Sequence, residues 1–273
     1  MTIADALRDG ARRLAKTSDS ARLDAELLMA HALGTARSDM LLRHMGDAPP
    51  AAFAELIARR AGHEPVAYIT GYQEFRGLEL IVTPLVLIPR GDSETVVQAA
   101  LDAAPHARRV LDCGTGSGAL LLALLSQWPD AHGIGVDRSL GAIAVAAANA
   151  ARLGLASRAR ILHADWSEAG WASELGRFDL VIANPPYVET GADLAQDVRG
   201  FEPHGALFAG PDGLDDYRCL IPQLRNLLTQ DGVAVLEIGA AQGELVRQIA
   251  RQQGFDVSLV DDLGNRHRAV ILR

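Results

Sequence analysis

From about residue 93 the sequence alternates strands and helices, and this rhythm limits the fold more than any other feature of the chain. Residues 110–112 read as a strand end, followed by glycines and an apolar helix over 119–125. Residues 133–137 read as the next strand, with a helix over 142–153. Strands over 159–162, 178–182 and 233–237 continue the pattern, and 269–272 supplies a last strand with no helix after it. Repeated β-α-β units predict a parallel sheet with helices on both faces, an α/β fold. Apolar runs such as Leu180-Val181-Ile182 suit strands buried on both sides.

The residues before this region follow a different grammar. Residues 1 to about 62 read as short helices. Ser20 can cap a helix in which Leu23, Leu27, Leu28 and His31 recur at helical spacing, and Gly34 would end it. Pro49 and Pro50 open another, with Phe53, Leu56 and Ile57 on one face. Residues 68–72 and 79–82 are β-prone and separated by Gly77, which predicts a hairpin linker. The expected division is a helical domain over 1–75, a β-hairpin linker over 76–92 and the α/β domain over 93–273.

Bulk properties exclude several classes. A hydrophobic share of 49% in 273 residues is enough for a sizeable core. No apolar run approaches the ~18–20 residues of a membrane span. The segment from Met1 to Lys16 carries Asp5 and Asp9 and lacks an apolar signal core, so a cytoplasmic location is expected. Cys113 and Cys219, the two cysteines, have neither metal-ligand nor redox spacing, and His31 and His44 lack partners, so no metal is expected. A net charge of −8 offers no broad footprint for a phosphate backbone, and no direct nucleic acid contact is expected.

The first strand of the α/β region runs into Asp112-Cys113-Gly114-Thr115-Gly116-Ser117-Gly118. Glycines there let the backbone turn tightly and approach a ligand closely, and ligands of open α/β sheets lie beyond the carboxyl ends of the strands. The spacing is Gly-x-Gly-x-Gly, and no Gly-Lys-Ser/Thr follows to indicate a triphosphate loop. Asp137 ends the next strand, roughly 20 residues on, where an acid can accept two ribose hydroxyls. Asp165-Trp166 follows the third strand, where an acid and an aromatic ring can hold an adenine. Each is an ordinary turn, cap or core residue by itself. Together, at three successive strand ends, they point to a nucleoside cofactor.

Asn184-Pro185-Pro186-Tyr187 follows the fourth strand. Two prolines stiffen the turn and contribute no amide hydrogens, so the carbonyls of Asn184 and Pro185 can face a pocket as acceptors. They suit a planar –NH₂ group, whose two hydrogens need two acceptors, and Tyr187 supplies an aromatic wall. An amide nitrogen is a poor nucleophile because its lone pair is delocalised. Accepting both its hydrogens and aligning it with a good leaving group can carry most of the barrier without a strong base.

An Asp-x-Gly-x-Gly-x-Gly loop with Asn-Pro-Pro-Tyr resembles the amino-methyltransferases of class I, and within them the bacterial peptide chain release factor glutamine methyltransferases, the HemK/PrmC family. The resemblance extends over nearly the whole chain, through residues 65–71, Phe75-Arg76-Gly77-Leu78, Ile88-Pro89-Arg90, Glu202-Pro203 and residues 206–217. It implies a class I S-adenosylmethionine-dependent methyltransferase fold, Rossmann-like, with a seven-stranded, mostly parallel sheet, a small N-terminal helical domain and a β-hairpin linker. It implies S-adenosylmethionine as cofactor, leaving as S-adenosylhomocysteine, held by Gly114, Thr115, Gly116, Ser117, Gly118, Asp137, Trp166 and Asn184. Substrate contacts fall to Asn184, Pro185, Pro186 and Tyr187, with Asn184, Pro185 and Tyr187 at the chemistry. The implied partners are release factors 1 and 2, methylated at the glutamine of their Gly-Gly-Gln loop and held in part by the N-terminal domain. One departure stands out: Gly91 replaces the family's usual proline, and Ser93 its threonine, so altered flexibility is expected beside the site. Three other readings share parts of this pattern: a ribosomal-protein glutamine methyltransferase, an N6-adenine or N4-cytosine methyltransferase, and a non-catalytic S-adenosylmethionine-binding regulator. The Ile-Pro-Arg segment, the acidic balance and the intact Asn184 and Tyr187 weigh against them in turn.

Overall fold

A computed structural model describes residues 1–273. In chain order α1 (Ile3–Leu14), α2 (Ala21–Leu33), α3 (Arg37–Asp39), α4 (Phe53–Ala61) and α5 (Val66–Thr70) precede a hairpin of β1 (Tyr72–Phe75) and β2 (Leu78–Ile81). Then come α6 (Ser93–Ala103), β3 (Arg109–Cys113), α7 (Ala119–Gln127), β4 (His132–Asp137), α8 (Leu140–Arg152), β5 (Ala159–His163) and β6 (Phe178–Ala183). The chain ends with α9 (Gln196–Phe201), α10 (Asp215–Leu227), β7 (Leu228–Glu237), α11 (Gly243–Gln252), β8 (Val257–Asp261) and β9 (His267–Leu272). Two compact units result: Met1–Tyr72 with Leu194–Phe201, and Gln73–Asp193 with Glu202–Arg273.

The first unit is helical. Thr2 opens α1 with a capping box: its hydroxyl accepts the Asp5 N–H, and the Asp5 carboxylate accepts the Thr2 N–H. Leu7, Leu14, Leu28, Met29 and Ile57 fill its core. Arg60 is buried and pairs with Asp24 at 2.7 Å, reaching Asp197 of α9 at 3.7 Å. Gly34 closes α2 in the left-handed conformation, as its sequence position predicts. Ser20 precedes α2 but does not cap it through its side chain; the hydroxyl donates to Asp24 instead.

The expected strand over 68–72 is corrected. Residues 66–70 form the single helical turn of α5, bounded by Pro65 and by Gly71 at φ 82°. Ile69 packs into the helical core, and that burial outweighs the β-propensity of Tyr68, Ile69 and Thr70. The hairpin therefore spans 72–81, starting before residue 76, and residues 82–92 carry no strand. Its turn, Arg76-Gly77, has positive φ at both positions, the twist that a two-residue hairpin favours.

The second unit holds the sheet. Its order is β5-β4-β3-β6-β7-β9-β8, with only β9 running against its neighbours. This is the seven-stranded, mostly parallel sheet that the resemblance implies. Alternate residues serve opposite faces: Val110, Leu180 and Ile182 join one apolar cluster with α6 and α7, while Leu111, Val181 and Ala183 join the other with α10 and α11. β8 has no counterpart among the strands read from the sequence. It lies at the sheet edge, none of its residues is fully buried, and Ser258 and Asp261 interrupt its apolar residues.

Candidate functional site

Strand register gathers the site. β3 and β6 are neighbours with Cys113 opposite Ala183, so the glycine loop and Asn184 leave adjacent strands at the same level. β3 also pairs with β4, Cys113 opposite Val136, which brings Asp137 alongside. β4 pairs with β5, Asp137 opposite His163, and the chain then runs through Ala164 and Asp165 to Trp166. The strand order reverses between β3 and β6, the switch point where open α/β sheets bind ligands.

These strand ends border one cleft of about 310 Å³. Gly114, Thr115, Gly116, Ser117, Asp137, Trp166, Asn184 and Pro186 line it. Gly118, Pro185 and Tyr187 do not; Gly118 sits one step back as the left-handed residue opening α7. Gly114 has φ 74°, and a Cβ there would lie 3.0 Å from the Trp166 ring, so only glycine lets the loop lie against that indole.

Asp137 holds the loop in shape. Its Oδ2 accepts the Gly116 N–H at 2.9 Å and its Oδ1 the Ser139 N–H at 2.8 Å. Trp166 is fixed by an Nε1–H bond to Asp216 at 3.2 Å. Asp165 lines the cleft, with its Oδ1 accepting from the N–H and hydroxyl of Ser167. Asp112 lies beneath the loop, fully buried, accepting the Thr115 hydroxyl at 2.7 Å; burial pushes its pKa up to about 7. Asn184 is half-buried at the cleft, and its side-chain amide makes no hydrogen bond to the protein. Tyr187 is half-buried, and burial, with the nearby Glu237, pushes its phenol up to about 12, so it is neutral at any physiological pH.

Some contributors carry no role in the sequence reading. Arg90 and Ser93 line the cleft. Glu202, nearly inaccessible, accepts from Arg90 at 2.5 Å and from the Ile88 N–H at 3.4 Å, tying Ile88-Pro89-Arg90 to Glu202-Pro203. Both segments stand out as family-like stretches, but their mutual pairing is 112 residues apart in sequence and leaves no local signal. Residues 206–217 also acquire a role. Val188, just past Tyr187, exchanges backbone hydrogen bonds with Leu207 and Ala209 at 2.9 Å each, which steadies the exit of the Asn-Pro-Pro-Tyr turn.

The residues present suit an adenine nucleoside bearing a short polar tail. The cleft volume lies at the small-molecule end of ligand sites. A carboxylate, a clamped indole and a free amide converge on it beside the glycine loop. No cluster of histidine, cysteine, aspartate and glutamate capable of holding a metal ion is present.

Comparison with known proteins agrees with this geometry. A family model described as "PrmC N-terminal domain" matches residues 5–71, and one described as "Methyltransferase small domain" matches residues 92–200. The chain is 43% identical to a release factor glutamine methyltransferase of Moorella thermoacetica, covering 99% of this chain and 98% of that protein. It is 42% identical to one of Cereibacter sphaeroides, covering 100% and 99%. Among solved structures, the catalytic domain of hMettl16 in complex with a MAT2A 3'UTR hairpin superposes with a TM-score of 0.59 at 15% identity, over 79% of each chain, which reflects a shared fold. The fold is that of class I S-adenosylmethionine-dependent methyltransferases, and by its full-length identity the chain belongs to the release factor glutamine methyltransferase family.

Proposed function

We propose that this chain transfers a methyl group from S-adenosylmethionine to the side-chain amide nitrogen of the glutamine in the Gly-Gly-Gln loop of peptide chain release factors 1 and 2, in the cytoplasm. The observation that carries the reading is the β3–β6 register, which sets the glycine loop beside the start of the Asn184-Pro185-Pro186-Tyr187 turn, with Asn184 and Pro186 at the same cleft.

When bound, S-adenosylmethionine supplies a methyl group on a sulfonium, already a good leaving group. The protein's part is then to bind and align. The loop from Gly114 to Ser117 would hold the cofactor's tail, with Gly118 shaping the turn behind it, Asp137 would accept ribose hydroxyls, and Trp166 would pack on the adenine. The Asn184 side chain and the Pro185 carbonyl accept the two N–H bonds of the glutamine amide, which returns electron density to its nitrogen. The Tyr187 ring holds the amide plane, a task for which an un-ionised phenol is as good as a bare ring. No group needs to act as a strong base for attack. Residues 1–75 help to grip the release factor; nearly all of them, Met1–Tyr72, belong with Leu194–Phe201 to a helical unit that has its own core.

The test is single-turnover methylation of an intact release factor at saturating labelled cofactor, followed by mapping of the label. The label should fall on the Gly-Gly-Gln glutamine and not on ribosomal protein or DNA. Asn184→Ala should slow the step about 10²–10³-fold, the usual cost of removing one well-placed polar partner of a reacting group. Near-normal turnover in that variant would overturn the assigned chemistry.

A further inference from the structure

The Asn-Pro-Pro-Tyr turn has no hydrogen bonds of its own to hold its last residue, since prolines donate none. Beside the Val188 pairing that follows it, the Tyr187 backbone is held directly by Gln242, the residue just before α11 and 55 positions away. Its Nε2 donates to the Tyr187 carbonyl at 3.0 Å and to the Gly213 carbonyl at 3.2 Å. Its Oε1 accepts the Gly239 N–H at 3.1 Å. All of the amide's donors and its acceptor are thus committed. The orientation is the one its partners require, because a flipped amide would set an oxygen against two carbonyls.

The surroundings are built to this one side chain. The Gln242 N–H bonds the Gly239 carbonyl at 2.9 Å, closing the turn that aims the side chain back toward Tyr187. A Cβ on Gly239 would lie 2.7 Å from Oε1 and 3.4 Å from the Tyr187 ring. A Cβ on Gly213, at φ 69°, would collide with the Tyr187 carbonyl and lie 2.7 Å from Nε2. Two glycines therefore give way where Gln242 must reach, and three loops, after β6, before α10 and after β7, meet on one amide. Gln242 does not line the cleft.

We infer that Gln242 is a positioning residue for methyl transfer, fixing the Tyr187 backbone so that the ring and the preceding carbonyls meet the substrate amide at the reacting distance. The inference rests on the proposed glutamine methylation. A displacement of the acceptors by about 1 Å is enough to slow a reaction that depends on alignment about 10²-fold. Because Gln242 stands off the cofactor residues, its loss should act on turnover and leave cofactor binding in place.

The experiment compares the unaltered protein with Gln242→Met and Gln242→Glu. Gln242→Met keeps the length and removes every hydrogen bond. It should bind S-adenosylhomocysteine within about threefold of the unaltered protein by calorimetry, while single-turnover methylation of a release factor falls about 10–100-fold and KM moves little. Gln242→Glu keeps the acceptor for Gly239 but turns a charge toward two carbonyls. Its deficit relative to the unaltered protein should shrink on acidification, when a protonated carboxyl can donate to Tyr187 again. Equal turnover in Gln242→Met, or equal losses of cofactor binding and turnover in both variants, would overturn the inference. If Gln242→Met does not fold, the side-chain amide signals of Gln242 in the unaltered protein decide: slow solvent exchange is expected, and exchange at the rate of a free amide overturns it. An unaltered protein that methylates no release factor would instead overturn the function, which separates the two failures.

Discussion

Asp137 shows how one side chain can serve shape and ligand together. Each of its oxygens already accepts a backbone N–H, from Gly116 and Ser139. A carboxylate offers about four lone-pair directions, so capacity remains for two hydroxyls. Removing it should therefore act twice, by taking away charge-assisted bonds and by releasing the loop. Hydrogen bonds to a charged group contribute ~1.5–3 kcal/mol, so Asp137→Ala should weaken S-adenosylmethionine binding by about tenfold or more with the far-UV spectrum unchanged. Asp137→Asn retains one acceptor oxygen but must turn an –NH₂ toward either Gly116 or Ser139, so it should bind little better than the alanine variant. Calorimetric affinity unchanged in both would remove Asp137 from the site. The departures at Gly91 and Ser93 are milder at this scale. Gly91 is exposed and has open space around its α-carbon, so nothing there demands glycine. Ser93 is buried at the cleft with its hydroxyl toward Glu237.

Between elements, the decisive contacts are polar and long-range. Asn149 of α8 is fully buried, yet its amide is completely used: Oδ1 accepts the Ile81 N–H at 2.7 Å, and Nδ2 donates to the Ile81 carbonyl at 3.0 Å and the Ser117 carbonyl at 2.8 Å. One side chain thus joins hairpin, helix and glycine loop. Asn149→Ala would strand three backbone groups, that of Ser117 buried and those of Ile81 partly so, and a buried group costs ~1–3 kcal/mol when unmet. A loss of at least about 2 kcal/mol in denaturant unfolding is expected, together with weaker cofactor binding through the slackened loop; an unperturbed midpoint would refute this role. Contacts of this kind explain what could be read from the sequence. Strand ends were legible because apolar runs stop at Asp112, Asp137 and Asn184, and parallel topology then brings such ends to one edge. The roles of Asn149, Gln242 and Glu202 were not, because each is a lone polar residue whose long-range partners lie 29 to 114 positions away. α5 was misread because its β-prone residues answer to burial, and β8 because Ser258 and Asp261 interrupt its apolar residues.

At the scale of the whole molecule, the sheet unit carries two acids whose burial opposes stability near neutral pH. Asp112 is the penultimate residue of β3, and Glu237 ends β7, on either side of the strand that leads into Asn184. Burial pushes each up to about 7, against ordinary values of 3.8 and 4.5; the Ser93 hydroxyl and Arg268 offset only part of the shift at Glu237. The folded state then holds a proton that the unfolded chain has released. Below about pH 4 both states are protonated and the effect vanishes. Between about 4 and 7 the unfolded state ionises first, so stability falls as pH rises, and above 7 the loss is constant. Glu26 works the other way. Burial pushes it up, but hydrogen bonds from Arg22 and Arg37 outweigh that and hold it down, so its contribution is lost only as pH falls below the ordinary carboxylate range. Trp128, Trp166 and Trp171, the three tryptophans, all belong to the sheet unit, so their fluorescence follows the unfolding of that unit. Glu237→Gln removes the titration while keeping the shape. The stability of that variant relative to the unaltered protein should improve by roughly 2–3 kcal/mol between pH 5 and pH 8. A difference independent of pH would mean that Glu237 is ionised in the fold throughout, held by Arg268 and Ser93 more strongly than its burial opposes. If the gain appears and methylation slows at the same time, the acid at the end of β7 is retained for the site beside it, at the expense of the sheet that carries both.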